Sequence, residues 1–367
     1  MSESTAKAGK IAVFLPSLRG GGAERVMLTL ANAMAGRGIP VDLILCQAEG
    51  KYLQEIAPGV AVVDLAAPRV AAGLPGLVRY LRAERPVAVI SAMNHANVVA
   101  LLAAKIARVS SKVIVTEHNT LSKSTAVAGA KGALLKALMR VTYARCHRVV
   151  TVSDGVAADL TRELGLQQDR VRTIYNPVVS DELLRRSHET PPEEQATGRP
   201  LVVAVGRLTA QKDYPTLLRA FARMKPPAAL AILGTGPLGP DMEALARDVG
   251  IADRVRFLGF QDNPYGWMRA ADLFVLSSAW EGLPTVLIEA MACGTAVVST
   301  DCPSGPDEIL EHGKWGDLVP VGDDEALARA IEDALRRDER PDVTQRAKAF
   351  TVGTAVEAYL DLVETPS

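Results

Sequence analysis

Aromatic side chains make up only 4% of the 367 residues, too few for the stacking surfaces that hold single-stranded nucleic acid. No nucleic-acid partner is expected. Cysteine is equally scarce: Cys46, Cys146, Cys293 and Cys302 fit neither a zinc nor a disulfide spacing, and read as buried thiols of a reducing cytoplasm. No uncharged apolar run reaches the ~20 residues that span a bilayer; Asn94, His95, Asn97 and Lys105 interrupt the best candidate. The opening MSESTAKAGK lacks the apolar core of a signal peptide. Asp-x-Asp is missing after every strand-like run, and His95 and His147 have no second ligand at metal spacing. Asp323 and Asp324 stand where a helix begins and read as its cap. Neither a metal nor another cofactor is expected.

What the chain does have is 48% hydrophobic and 23% charged residues, ordinary for globular proteins, and enough length for two domains. Its net charge of −1 hides an asymmetry: residues 1–180 hold 22 basic against 12 acidic residues, and the remainder 19 against 30. Such a split points to an anionic surface or ligand at the first half.

Short β-branched runs alternate with amphipathic stretches along the whole length. IAVFL (11–15), VDLILC (41–46), VAVIS (87–91), KVIVT (112–116) and RVVTVS (148–153) read as buried strands, with helices over 24–35, 97–107 and about 129–146. The pattern returns in LVVAVG (201–206), AALAIL (228–233), RVRFLG (254–259), DLFVLS (272–277) and TAVVST (295–300). This alternation predicts an α/β protein with two parallel sheets. The polar stretch 180–200, with three prolines, reads as a linker. Expected domains are therefore 1–180 and 181–350, with 351–367 as a terminal helix returning to the first. Ligands of such sheets bind in loops at the carboxyl ends of the strands.

Four loops hold the chemistry. Gly20, Gly21 and Gly22 separate the first strand from a helix, which suits either anion binding at the helix start or a flexible turn. Gly234, Gly236 and Gly239 form a literal G-x-G-x-x-G, but Pro237 and Pro240 argue against dinucleotide binding. Arg207 and Lys212 share the loop after strand 201–206; two cations there could neutralise a diphosphate or lie solvated at the surface. Glu281 and Glu289 flank the start of an otherwise apolar helix. A carboxylate in such surroundings requires donors, which sugar hydroxyls or the backbone could supply.

Together, GRL…QKDYPTLLRAF, AILGTGPL, VRFLGF, ADLFVLSSAWEGLPTVLIEAMACGTAVVST and SGPDEIL resemble the retaining glycosyltransferases of family 4, which have the GT-B fold. GGAERV, TEHN, VTVSDG and IYNPV are similar to the amino-terminal half of the same family. The resemblance implies two Rossmann-like domains facing across a cleft and no metal requirement. It implies that Arg207 and Lys212 hold the donor diphosphate with backbone amides near Pro284, Thr285 and Val286. Gly234 lies in the donor loop, and Thr235 stands where many relatives carry Asp. Glu289 would take the ribose hydroxyls, and Glu281 hydroxyls of the transferred sugar. His118 of TEHN would face that sugar, and Gly20–Gly22 would cap the reacting phosphate or the acceptor.

Between Glu117 and Asp154 there are six basic residues and no acidic one. Lys136, Arg140, Tyr143 and His147 fall on one helical face, with Leu134, Leu135, Leu138 and Val141 opposite. Such a stripe is either a solvated face on a core helix or a surface for anionic lipid or a polyprenyl diphosphate. Relatives that extend lipid-linked oligosaccharides resemble this chain in GGAERV and the basic helix. The expected activity is retaining transfer of a hexose or N-acetylhexosamine from a nucleotide-sugar, UDP-linked, to a polyprenyl-diphosphate-linked glycan. The expected location is cytoplasmic, peripheral at the inner face of the cell membrane. A nucleotide-sugar epimerase of the same fold and a non-catalytic nucleotide-sugar or lipid-surface binder are the alternatives.

Overall fold

The computed structural model describes residues 9–191, 198–225 and 228–365, apart from the side chains of residues 123–128. The chain forms two compact units. The first runs to Pro177 and takes in the segment from Val352 onward; the second spans Val178–Thr351. Of the stretch 180–200, residues Asp181–Ser187 form a helix of the second unit. There Arg186 is held by the Asp262 carboxylate at 2.7 Å, so this part is packed structure and not linker. Residues 192–197 of that stretch lie outside the described residues.

Among the described residues the first unit has seven strands: β1 (Ile11–Leu15), β2 (Val41–Leu45), β3 (Val60–Asp64), β4 (Ala88–Ala92), β5 (Lys112–Glu117), β6 (Arg148–Thr151) and β7 (Val171–Thr173). Their order is β3-β2-β1-β4-β5-β6-β7, parallel throughout. The described residues of the second unit form six: β8 (Leu201–Val205), β9 (Ala229–Leu233), β10 (Val255–Gly259), β11 (Leu273–Leu276), β12 (Val297–Thr300) and β13 (Asp317–Val319). Their order is β10-β9-β8-β11-β12-β13, again parallel. Each order reverses direction once, between β1 and β4 and between β8 and β11. Loops after those strands diverge to opposite faces and open a crevice, which is where doubly wound sheets bind ligands.

Central strands such as β1, β2 and β4 are buried along their whole length, because helices cover both faces. That explains their unbroken apolar sequences. Helix Val352–Glu364 packs Val356, Tyr359 and Leu362 into the same core as Val13, Met27 and Leu43. The four cysteines are buried and free; burial pushes the Cys46 thiol up to about 11 and Cys146 to about 12, leaving them protonated and unreactive at neutral pH. Among the described residues no helix is long and apolar enough to cross a membrane.

Candidate active site

At the switch point of the second sheet, the loops after β8 and β11 are joined by a buried ion pair. Lys212 Nζ lies 2.6 Å from Glu281 Oε1, with the two side chains only 16% and 8% exposed. Ser278 Oγ donates to Glu281 Oε1 at 2.7 Å and Gln211 Nε2 to Oε2 at 3.1 Å. Two further bonds stitch the loops: Ser277 Oγ to the Lys212 carbonyl at 2.8 Å, and the Ala279 amide to the Gln211 carbonyl at 2.8 Å. Gln211 and Ser278 were not singled out from the sequence. Polar residues beside recognised motif positions carry no pattern of their own.

Arg207, in the same loop as Lys212, is exposed. Among the described residues its guanidinium has no ion-pair or hydrogen-bond partner. The cation nearest solvent is thus uncommitted, while Lys212 is held by a carboxylate. A diphosphate arriving here would meet Arg207 first and compete with Glu281 for Lys212.

The glycines after β9 have a structural reason. Gly234 sits at φ +135°, and a Cβ there would lie 2.0 Å from the Gly206 carbonyl oxygen. At Gly236 it would lie 2.3 Å from the Leu208 carbonyl oxygen. The loops run backbone to backbone, joined by Leu208 N to Thr235 O at 3.1 Å and Leu238 N to Leu208 O at 3.1 Å. The G-x-G spacing therefore braces the Arg207 loop.

Pro284 caps helix Thr285–Ala292 without a side-chain hydrogen bond, so the first-turn amides at Thr285 and Val286 have no side-chain acceptor from the cap. Glu289 lies one turn further along, half-buried. Asp323 behaves as the sequence suggests: its carboxylate accepts from the Ala326 amide at 2.8 Å and caps helix Asp324–Arg336.

In the first unit, the glycine loop follows β1 and is closed on itself. The buried Glu24 carboxylate accepts from the amides of Gly20 and Gly21 at 2.7 and 2.9 Å, the glutamate half of a capping box at the start of helix Gly22–Gly36. Any phosphate received by this loop would have to displace Glu24 from those two donors.

His118 follows β5. Burial depresses its pKa to about 4, and its Nε2 lies 3.1 Å from Thr116 Oγ1. At neutral pH it is an uncharged imidazole, suited to a sugar hydroxyl and poorly suited to a phosphate. The preceding Glu117 is wholly buried. Its Oε1 accepts from Tyr143 Oη and, at 3.0 Å, from Asn97 Nδ2. Burial lifts its pKa to about 7, against the lowering effect of those two donors.

That shift has a measurable consequence. The folded pKa lies above the unfolded value of 4.5, so the native state favours protonated Glu117. Its contribution is fully present below about pH 4.5 and is lost as pH rises through about 7, a change of roughly 3 kcal/mol. The depressed His118 works in the opposite sense, its stability present above pH 6.5 and lost as pH falls toward about 4. Because Glu117→Gln and wild type both retain His118, that slope cancels in the comparison. Glu117→Gln should gain stability relative to wild type between pH 5 and 7.5, measured by urea unfolding at each pH. Parallel profiles for the two proteins would show that Glu117 does not titrate in this range.

The basic helix departs from the expected orientation. Helix Leu121–Tyr143 breaks at Gly129, where φ is +57° and ψ −134°. Past the break it buries Met139 and Tyr143, and Leu135 packs partly buried against the same core. Lys136 is half-buried and paired with Glu163; Arg140 Nη2 donates to the Glu163 carbonyl at 2.8 Å. His147 lies beyond the helix end, its Nε2 3.1 Å from the Leu362 carbonyl. The solvated face is the apolar one: Leu134, Leu138 and Val141 are 65%, 44% and 60% exposed. Two apolar rows run along this helix, and periodicity alone does not say which one the sheet covers.

Two parallel sheets, each with candidate loops at its switch point, place the chain among proteins built of two doubly wound units, and comparison with known proteins gives its family. Residues 20–182 match Glycosyltransferase Family 4 and residues 186–349 match Glycosyl transferases group 1. The chain is 28% identical over 357 residues to the N-acetylgalactosamine-N,N'-diacetylbacillosaminyl-diphospho-undecaprenol 4-alpha-N-acetylgalactosaminyltransferase of Campylobacter jejuni, covering 93% of this chain and 95% of that one. It is 33% identical over 233 residues to the lipopolysaccharide core biosynthesis glycosyltransferase LpsE of Rhizobium meliloti, covering 61% and 66%. The crystal structure of Anabaena HepE in complex with UDP and glucose superposes with a TM-score of 0.76 at 22% identity, covering 96% and 98%. The chain belongs to the family 4 glycosyltransferases and has the GT-B fold. It is a glycosyltransferase enzyme.

Proposed function

We propose that this protein transfers a hexose or N-acetylhexosamine from UDP to a polyprenyl-diphosphate-linked glycan, with retention of anomeric configuration. The observation that carries the donor half is the Lys212–Glu281 pair at the β8/β11 switch point, with the uncommitted Arg207 in the same loop. On this reading the donor diphosphate lies on Arg207, Lys212 and the amides at Thr285 and Val286. Glu289 takes the ribose hydroxyls. Glu281, released from Lys212 as the phosphate arrives, accepts from hydroxyls of the transferred sugar. In the first unit His118, neutral, is suited to a hydrogen bond with a sugar hydroxyl.

The bond from the anomeric carbon to the diphosphate breaks while the acceptor hydroxyl bonds to the same face, and its proton passes to the leaving phosphate oxygen. Cations and helix amides stabilise the charge that develops on that phosphate. No metal is assigned a part. The C. jejuni relative's name supports an undecaprenol-diphosphate glycan as the acceptor class, and the HepE complex supports UDP.

An acceptor of that class resides in a membrane, so we place the protein peripherally at the cytoplasmic membrane surface. The support is the +10 charge balance of residues 1–180 and the exposed Leu134, Leu138 and Val141 row with Arg140 beside it. Apolar residues flanked by cations are what an interfacial helix presents to anionic lipid. Transfer of label from a radiolabelled UDP-sugar should continue at an unchanged rate in EDTA. Activity lost to EDTA and restored by manganese would overturn the metal-free assignment. Conversion of the donor with acceptor omitted would instead identify an epimerase.

A further inference from the structure

A cavity of about 680 Å³ opens in the first unit at the starting ends of β5 and β6, the end of the sheet opposite the chemistry-bearing loops. β5 alone, six residues from Lys112 to Glu117, separates it from His118 by roughly 20 Å at 3.3 Å per residue. It is large enough for a ligand, since such sites span about 300–1,000 Å³. It plays no part in the reading above.

Its charge is one-sided. Lys105, Lys112, Arg145, Arg148 and Arg170 line it against the single carboxylate of Asp169. Lys112 Nζ holds the Val363 and Thr365 carbonyls at 2.6 and 2.7 Å, Arg148 the His147 carbonyl, and Arg170 the Cys146 carbonyl. These are hydrogen bonds to neutral oxygens, and among the described residues no salt bridge pairs Lys112, Arg148 or Arg170. Lys105 and Arg145 have no side-chain partner among the described residues. His147, which also lines the cavity, is held below its usual pKa by burial first, against the Leu362 carbonyl that raises it, with smaller contributions from Arg148, Lys112 and Arg170.

Much of the remaining wall is aliphatic. Leu101, Leu102, Val109, Val113 and Val141 supply it, interrupted by the Ser110, Ser111 and Thr142 hydroxyls and the His147 imidazole. Among the described lining residues a nucleobase would find no Phe, Tyr or Trp to stack on. Val141 belongs at once to this wall and to the exposed row with Leu138 and Leu134, so an apolar track leads from the cations out along the helix. A second apolar cavity, of about 480 Å³, lies under Ile106, next to Lys105, and carries Arg79 and Arg82.

We infer that this cavity receives the headgroup phosphate of an anionic phospholipid, its acyl chain lying along Val141, Leu138 and Leu134. The inference rests on the membrane-surface reading given above and adds a specific lipid site to it. Each cation near an anionic surface contributes about 1 kcal/mol, so removing two should weaken binding roughly thirtyfold.

The test uses the full chain and the variant Lys105→Ala/Arg145→Ala, neither residue being assigned to the transfer machinery. The probes are phosphatidylglycerol vesicles, phosphatidylcholine vesicles, monomeric dihexanoyl phosphatidylglycerol and glycerol phosphate. The site predicts that the variant loses roughly thirtyfold in affinity for phosphatidylglycerol vesicles and for the monomeric lipid. It should keep wild-type transfer to a water-soluble acceptor. Equal binding of the monomeric lipid by both proteins overturns the site, even where vesicle binding of the wild type upholds the membrane reading. Monomeric lipid bound through Lys105 and Arg145, with no vesicle binding, upholds the site and overturns the membrane reading. Glycerol phosphate bound as tightly as the short-chain lipid would make this a plain anion site and overturn the lipid assignment.

Discussion

Arg207→Ala should cut turnover by roughly 10²–10³, the scale of one electrostatic donor to a developing charge, and leave the melting temperature unchanged. Lys212→Ala should lose as much turnover and also melt lower. The difference follows from burial. Arg207 is exposed and without a side-chain partner among the described residues, so folding does not depend on it. Lys212 is the counter-charge of the buried Glu281. Removing it strands a carboxylate that, among the described residues, keeps only Ser278 and Gln211 as donors. Breaking a buried pair from one side costs about 3–5 kcal/mol, and at about 2–4 °C per kcal/mol the melting point should fall by roughly 6–20 °C. Thermal unfolding and steady-state turnover on the two variants settle this. An Arg207→Ala enzyme with full turnover would move the donor site elsewhere. A Lys212→Ala protein that melts with wild type would mean the pair contributes nothing to the fold.

The second large effect belongs to Gly234. Alanine there must occupy φ +135° and place its Cβ 2.0 Å from the Gly206 carbonyl oxygen, a contact that only movement of the backbone can relieve. Strain at such a φ costs about 1–3 kcal/mol, and separating the two loops adds the hydrogen bonds between Leu208, Thr235 and Leu238. Gly234→Ala should therefore lose several kcal/mol and most transfer activity, because the Arg207 loop moves with it. Gly250 is the control: its φ is +74° with nothing within 4 Å, so Gly250→Ala should cost only ~1–2 kcal/mol and keep full activity. Similar stability losses at both positions in chemical denaturation would show that the close approach is not there.

The central strands were legible from sequence because helices bury both of their faces, leaving continuous apolar runs such as IAVFL and LVVAV. The short edge strands β3, β7 and β13 were not. Val62 is 44% exposed, and Val171–Thr173 and Asp317–Val319 span three residues each, too few to establish a period. The Arg207, Lys212 and Glu281 loops were legible as motifs, but their pairing across 69 residues depends on β8 and β11 being neighbours. Sheet order is a tertiary fact. The Glu117, Asn97 and Tyr143 cluster lies on three separate elements and carries no spacing to read. The orientation of helix Leu121–Tyr143 was misread for a similar reason: Met139 with Tyr143 and Leu134 with Leu138 are equally good apolar rows until a sheet is placed under one of them.

The most direct measurement is analysis of the product formed from a UDP-N-acetylhexosamine and an undecaprenyl-diphosphate-linked oligosaccharide. Mass spectrometry should show the acceptor heavier by one or more N-acetylhexosamine units, and proton couplings at the new linkage should give the α configuration of the donor. Both signals should vanish in Arg207→Ala. An acceptor of unchanged mass across UDP-hexose and UDP-N-acetylhexosamine donors, or a new sugar in the β configuration, would contradict retaining transfer to a lipid-linked glycan.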